Sequence, residues 1–180
     1  MSLKSLKAVC VLESERENKA LATLTQVALD TDSATEKLAV DFHILIPAKM
    51  AYSLKCSASS KKRGIAILKR GDLSSNPYYE TERFNPFKEY HGSLNSKVRK
   101  LGDLGNLDFT HWSKGTDFQY RFRAYGISLD WSDGFTRCVL GRSLVITSQE
   151  DDLGLEGSKE SSMNGNSGKI YAVGVIGYKE

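Results

Sequence analysis

Between Leu38 and Ile46 every second residue is apolar: Leu38, Val40, Phe42, Ile44 and Ile46 fall on one side, with Asp41 and His43 on the other. Extended chains send successive side chains to opposite faces, so this period of two predicts a strand with one buried face. Pro47 follows at once. It has no backbone N–H to give to a neighbouring strand, so the pairing ends there. Similar short runs recur along the chain: 7–12, 64–69, 118–125, 138–146 and 170–176. In 118–125 aromatic residues alternate with polar ones, as in a sheet with one wet face. The segment 20–28 alternates loosely around Leu21, Leu24 and Val27 and reads equally as helix or strand. Glycines punctuate the runs, and Ser132-Asp133-Gly134 marks a turn. About eight short strands with turn signals between them predict an all-β sandwich or barrel. Two stretches, 73–100 and 147–169, show no period and read as long loops, which in a compact domain usually carry function.

At 180 residues the chain suits a single domain, 1–180. Its balance of 25 basic against 22 acidic side chains is too even to point to nucleic acid. The Lys61-Lys62-Arg63 run reads as a solvated loop. No apolar stretch reaches the length of a membrane span. The three cysteines, Cys10, Cys56 and Cys138, are too few and too irregularly spaced for a disulfide framework, and fit a reducing compartment. The opening Met1-Ser2-Leu3-Lys4-Ser5-Leu6-Lys7 lacks the apolar run of a signal peptide, so a cytoplasmic location is expected.

More specific information sits in ordered blocks towards the C-terminus: Gly141-Arg142-Ser143-Leu144-Val145, Asp151-Asp152-Leu153-Gly154, Gly165-Asn166-Ser167-Gly168 and Gly174-Val175-Ile176-Gly177. Upstream lie Phe84-Asn85-Pro86, His91-Gly92 and Gly102-Asp103-Leu104-Gly105-Asn106, and near the start Lys7-Ala8-Val9-Cys10-Val11-Leu12. In order and spacing these resemble the copper/zinc superoxide dismutase family over roughly 7–12 and 64–180. The resemblance is weak in 13–63, where 47–63 reads as a divergent or inserted segment. It implies an eight-stranded antiparallel Greek-key β-barrel with long loops.

The family's chemistry, as the resemblance implies it, cycles copper between two oxidation states. Copper takes four histidines, one shared with zinc; zinc takes two more and an aspartate. This chain has three histidines in all. The resemblance places the first two copper ligands on Ala66 and Leu68, the shared histidine on Arg83 and the last copper ligand on Thr147. His91 and Asp103 match zinc-ligand positions, while the remaining zinc histidine falls on Lys100. An alkyl group donates nothing to a metal, and a guanidinium offers no lone pair and repels a cation. The arginine that guides superoxide falls on Ile170, beside Lys169. The internal disulfide falls on Pro77 and Val173. Asp151 matches the aspartate that links the two metal sites, and an ion cluster of Arg83 and Lys100 with Asp103 and Asp151 is expected where metals would stand. His43 reads as a surface residue of its strand and His111 as a loop residue, neither with spacing that brings it to His91. Cys56 and Cys138 would bind a soft metal only if folded together.

The expected function is therefore a superoxide dismutase-like protein lacking the copper ligands, a non-catalytic binding or regulatory protein. No cofactor is expected; His91 and Asp103 leave room for residual zinc but not copper. The persistence of Gly71-Asp72, Gly141-Arg142 and 174–177, which resemble the family's dimer contacts, implies a dimer with itself, with a genuine dismutase or with its copper chaperone. The alternative is an active dismutase with altered metal ligation. A different activity on the same barrel finds no nucleophile–base pair or phosphate loop to support it.

Overall fold

In the computed structural model, which describes residues 6–28, 38–74, 76, 78 and 82–180, the alternating segments become strands. They are β1 (Lys7–Ser14), β2 (Lys19–Ala28), β3 (Leu38–Ile46), β4 (Lys62–Ile67), β5 (Asp103–Asp108), β6 (Phe118–Tyr125), β7 (Ser143–Thr147), β8 (Ile170–Val175) and β9 (Gly177–Lys179). Two helices interrupt them: α1 (Ala48–Cys56) and the short α2 (Lys159–Asn164). The sheet order is β5-β4-β7-β8-β1-β2-β3-β6, every pairing antiparallel. β9 continues β8 past Ile176 along the same edge of β1, so the two act as one interrupted strand. The result is eight antiparallel strands in a nearly closed barrel, as expected. The opening lies between β5 and β6. Arg99, buried beside it, clasps the gap: its guanidinium donates to the carbonyls of Lys100, Leu101 and Asp103 on one side and Tyr125 on the other.

The burial pattern follows the period. In β3 the inward set is Val40, Phe42, Ile44 and Ile46, and Phe42 stacks on Phe122 of β6 at 4.8 Å between ring centres. The ambiguous 20–28 segment is a strand whose inward residues are Ala20, Ala22 and Leu24; of the three residues around which the pattern alternates only Leu24 is buried, and Leu21 faces out. Pairing with β1 and β3 on both edges selects strand over helix here, since it satisfies the backbone groups of this segment on both sides.

One expectation needs correction. The run 138–146 is a strand only from Ser143 onward. Before it, 138–142 turns, with Gly141 at φ 74°, while Arg142 donates to the carbonyls of Cys138, Lys69 and Phe135. The divergent segment 47–63 holds α1, which turns Met50, Ala51 and Leu54 into the main core at one end of the barrel. Pro47 sits before the first turn, where a missing N–H costs nothing. Asp117 accepts from the Ala48 N–H at 3.0 Å. At the other end Arg63 is fully buried and donates to the carbonyl of Leu54 in α1 and to those of Ser60 and Lys62. A cation there, with Ser57 Oγ, meets the Leu54 carbonyl at the C-terminal end of α1.

The described residues of both long aperiodic stretches remain loops apart from α2, which starts on Ser158 as N-cap and ends at Gly165 with φ 70°. They fold over the same side of the barrel, against β4, β5 and β7.

Candidate functional site

The two loops meet over β4 and β5 around four buried ionisable side chains: Arg83, His91, Asp103 and Asp151. Local structure fixes each. Arg83 bridges to Leu68, and the next residue, Phe84, donates its N–H to Ile67 and accepts from Gly102. Asp103 is the first residue of β5. The backbone of Asp151 is held by the Asn106 side chain: the Asp151 N–H donates to Asn106 Oδ1 at 2.8 Å, and Asn106 Nδ2 donates to the Asp151 carbonyl at 2.9 Å. His91 lies opposite Gly165, whose left-handed backbone presses on the cluster. A Cβ there would lie 1.9 Å from an Asp151 carboxylate oxygen and 2.7 Å from the His91 ring.

The arrangement is a closed ion cluster. Arg83 Nη1 lies 3.0 Å from Asp103 Oδ1 and 2.9 Å from Asp151 Oδ2. Its Nη2 donates to the Asn164 carbonyl at 2.7 Å and to Ser167 Oγ at 3.3 Å. His91 sits between the same two carboxylates, Nε2 at 2.7 Å from Asp151 Oδ1 and Nδ1 at 2.9 Å from Asp103 Oδ1, the latter approach too bent for a hydrogen bond. The remaining carboxylate capacity goes to backbone: Gly92 and Lys100 N–H to Asp103, Leu153 N–H to Asp151. Burial works against a charged imidazole, but the two carboxylates outweigh it and hold the His91 pKa above its ordinary value; Arg83 opposes them. With His91 protonated, two positive and two negative charges balance inside a dry pocket, the condition under which buried charge is tolerated.

Beside the cluster lies a second, separate hydrophobic cluster on the outside of the barrel: Ala66, Leu68, Val145, Ile170 and Val173, with Leu73 and Tyr78 packed against it. Thr147 adjoins it, its hydroxyl donating to the Gln149 carbonyl. Between the two clusters Ala66, Leu68, Arg83, Thr147 and Ile170 line a cavity of only about 20 Å³, space for about one water.

The structure thus brings together His91, Asp103, Arg83 and Asp151, as the expected ion cluster requires, and gathers Ala66, Leu68, Ile170 and Val173 into one apolar patch. Lys100 departs from expectation. Its ammonium donates to the Met163 carbonyl at 2.6 Å, and only its backbone N–H reaches Asp103. Pro77 lies outside the described residues. His43 faces Gln119 on the outer sheet surface and His111 is exposed, both away from the cluster. Cys56 is exposed at the end of α1, Cys138 is buried, and no disulfide joins any of the three cysteines. Among the described residues one group has metal-ligand spacing: His91, Asp151 and Asp152. Asp152 escaped the sequence reading. Its oxygens are taken by Ser161 Oγ, the Gly154 N–H and Asn166 Nδ2, so it braces the second loop. Of the adjacent Asp151-Asp152 pair, the sequence reading assigns Asp151 to the ion cluster, and that is the carboxylate that turns inward.

These donors do not fit the two metals implied by the resemblance. A copper ion against the apolar patch would meet alkyl groups and one hydroxyl, where imidazoles are needed. A zinc ion among the four ionisable groups would meet a permanently charged guanidinium about 3 Å from the oxygens it must bind.

Comparison with known proteins agrees with the barrel. The family model described as copper/zinc superoxide dismutase matches residues 39–176. A Cu-Zn superoxide dismutase of Paramecium bursaria Chlorella virus 1 is 32% identical over 176 residues, covering 97% of this chain and 80% of that protein. The Saccharomyces cerevisiae Cu-Zn superoxide dismutase is 33% identical over 133 residues, 73% of this chain and 80% of its own length. That of Candida glabrata is 31% identical over 174 residues, 96% and 97% of the two chains.

Proposed function

This chain belongs to the copper/zinc superoxide dismutase family, and we propose that within it the chain is a member without dismutase chemistry, serving as a binding or regulatory protein. The observation that carries this reading is Arg83, whose buried guanidinium bridges Asp103 and Asp151 where a bridging metal ligand is expected. Redox cycling needs a metal held by several nitrogen donors through two oxidation states. Here the patch of Ala66, Leu68, Val145, Ile170 and Val173 supports the loss of copper binding, because it closes on itself as a small core. His91 and Asp103 are then remnants of a zinc site in which the Arg83 guanidinium stands beside the carboxylates that would hold the cation. The buried thiols of Cys10 and Cys138 support a reducing, cytoplasmic setting. No helix among the described residues is long and apolar enough to cross a membrane.

A dimer, with itself or with a dismutase-fold partner, is part of the same proposal. Its support is not the retained glycines. Gly71 has an intramolecular reason to persist: a Cβ there would sit 1.8 Å from the Gly141 carbonyl oxygen, and one at Gly174 would sit 2.0 Å from that of Val11. The support is the exposed apolar surface beside them, Val11, Val175, Tyr178 and Trp131.

The test is to purify the protein, measure its copper and zinc by elemental analysis, reconstitute it with both ions and assay superoxide removal. The expected result is no stoichiometric copper and activity equal to that of free ions. Copper bound at one per chain with activity well above free metal would establish instead a dismutase with altered ligation. Light scattering with size exclusion tests the dimer, and a strict monomer that captures no dismutase-fold protein removes that part.

A further inference from the structure

A concavity of about 1010 Å³ is an open groove running from the turn before β7 to the end of α2. Its walls carry Lys69, Lys88, Lys100 and Arg142, against Glu82 as the sole carboxylate among the described lining residues. Glu82 is already engaged with Lys69 at 2.8 Å. The charge of Arg83, at the groove floor, is met by Asp103 and Asp151. Among the described residues Lys88, Lys100 and Arg142 have no carboxylate within 4.0 Å. Arg142 is held rigidly, its guanidinium 3.7 Å from the centre of the Phe84 ring, with part of its donor capacity committed to carbonyls. Three cations without a direct carboxylate partner among the described residues thus line one groove in a protein whose net charge is only +3.

The rims are apolar. Phe135 is 77% exposed at one end, edge-on to the half-exposed Trp131, and Met163 is 53% exposed at the other. An aromatic ring left that open, beside a flexible thioether, is the surface that a protein segment covers on binding. Nucleic acid is less well matched, because the described cations line one short groove and do not form an extended basic face to follow a phosphate backbone.

We propose that this groove binds an extended acidic segment of a partner protein, with carboxylates set against Lys88, Lys100 and Arg142 and an apolar side chain against Phe135. The site uses the outer loop walls and does not depend on whether the chain binds metal.

The experiment follows a short fluorescein-labelled peptide of glutamates around a central Leu-Phe pair by fluorescence anisotropy. Comparison probes are an all-glutamate peptide and a labelled oligothymidylate. Saturable binding of the first peptide is expected, weakening as salt rises. Phe135→Ser and Lys88→Glu should each lower its affinity about tenfold. Both side chains are exposed, so melting temperature should not move. Absence of saturable binding overturns the proposal. So does equal binding of all three probes with no effect of Phe135→Ser, which would reduce the groove to a non-specific cationic surface.

Discussion

Arg83 joins two loops that are far apart in the chain, and its energetics follow from burial. A guanidinium and two carboxylates taken out of water are tolerated only together, because each alone would forfeit its hydration without a partner. Arg83→Leu leaves Asp103 and Asp151 with excess buried negative charge, and Asp103→Ala leaves Arg83 and His91 to share Asp151 alone. Each should destabilise by about 3–5 kcal/mol, a fall of roughly 10 °C in melting temperature for a chain of this size, measurable by calorimetry. An unchanged melting temperature for both variants would mean the cluster contributes nothing to the fold. The cysteines allow a second residue-level prediction. Burial pushes the Cys10 thiol up to about 12, so at neutral pH it offers almost no thiolate. Cys56 is exposed. Brief alkylation of the native protein, mapped by mass spectrometry, should therefore modify Cys56 and spare Cys10 and Cys138, with all three labelled in denaturant. At this scale the sequence carried much: three histidines cannot fill a six-histidine arrangement, and Arg83 in place of a ligand announces a positive charge. It did not show that Arg83 rather than Lys100 meets the carboxylates. That choice depends on reach: Arg83 is paired to Leu68 beside the cluster, whereas Lys100 turns its ammonium out to Met163.

Among the elements, α1 is the one the sequence did not declare. Its buried residues Met50, Ala51 and Leu54 are too few to set a clear helical period in 47–63, and Pro47 and the serines at its ends read as loop. What makes it a helix is the barrel end it covers, which needs apolar cover, together with Arg63, which meets the Leu54 carbonyl at its C-terminal end. Leu54→Ala should cost about 2–5 kcal/mol as an unfilled core site. Arg63→Met keeps the bulk of the stem but removes the donors to the Leu54, Ser60 and Lys62 carbonyls. It should speed hydrogen exchange of the α1 amides well beyond those of β3, and uniform exchange across both would show that Arg63 has no local role. The strands were easier to read, because each has one face in the core and one outside. β7 was read too long, since the apolar 138–140 is buried as a turn under Arg142 rather than as a strand.

For the whole molecule, a barrel closed by its own core and by an internal ion cluster should not need a metal to stay folded. A ligand that binds only the native state raises melting temperature by mass action. Adding zinc or copper, or dialysing against a chelator, should leave the transition where it is. A rise with zinc would show that the cluster opens to admit it. By itself the sequence determined the architecture and the shortage of metal donors. Alternation along a strand is a local property, and a side chain without a lone pair cannot acquire one by folding. Only the tertiary structure decided how the ionisable side chains pair. Which charges meet depends on bringing Arg83, His91, Asp103 and Asp151 from two loops and a strand into one pocket. The cationic groove, likewise, exists only where the turn before β7 comes to lie opposite α2. Neither contact leaves a periodic trace along the chain.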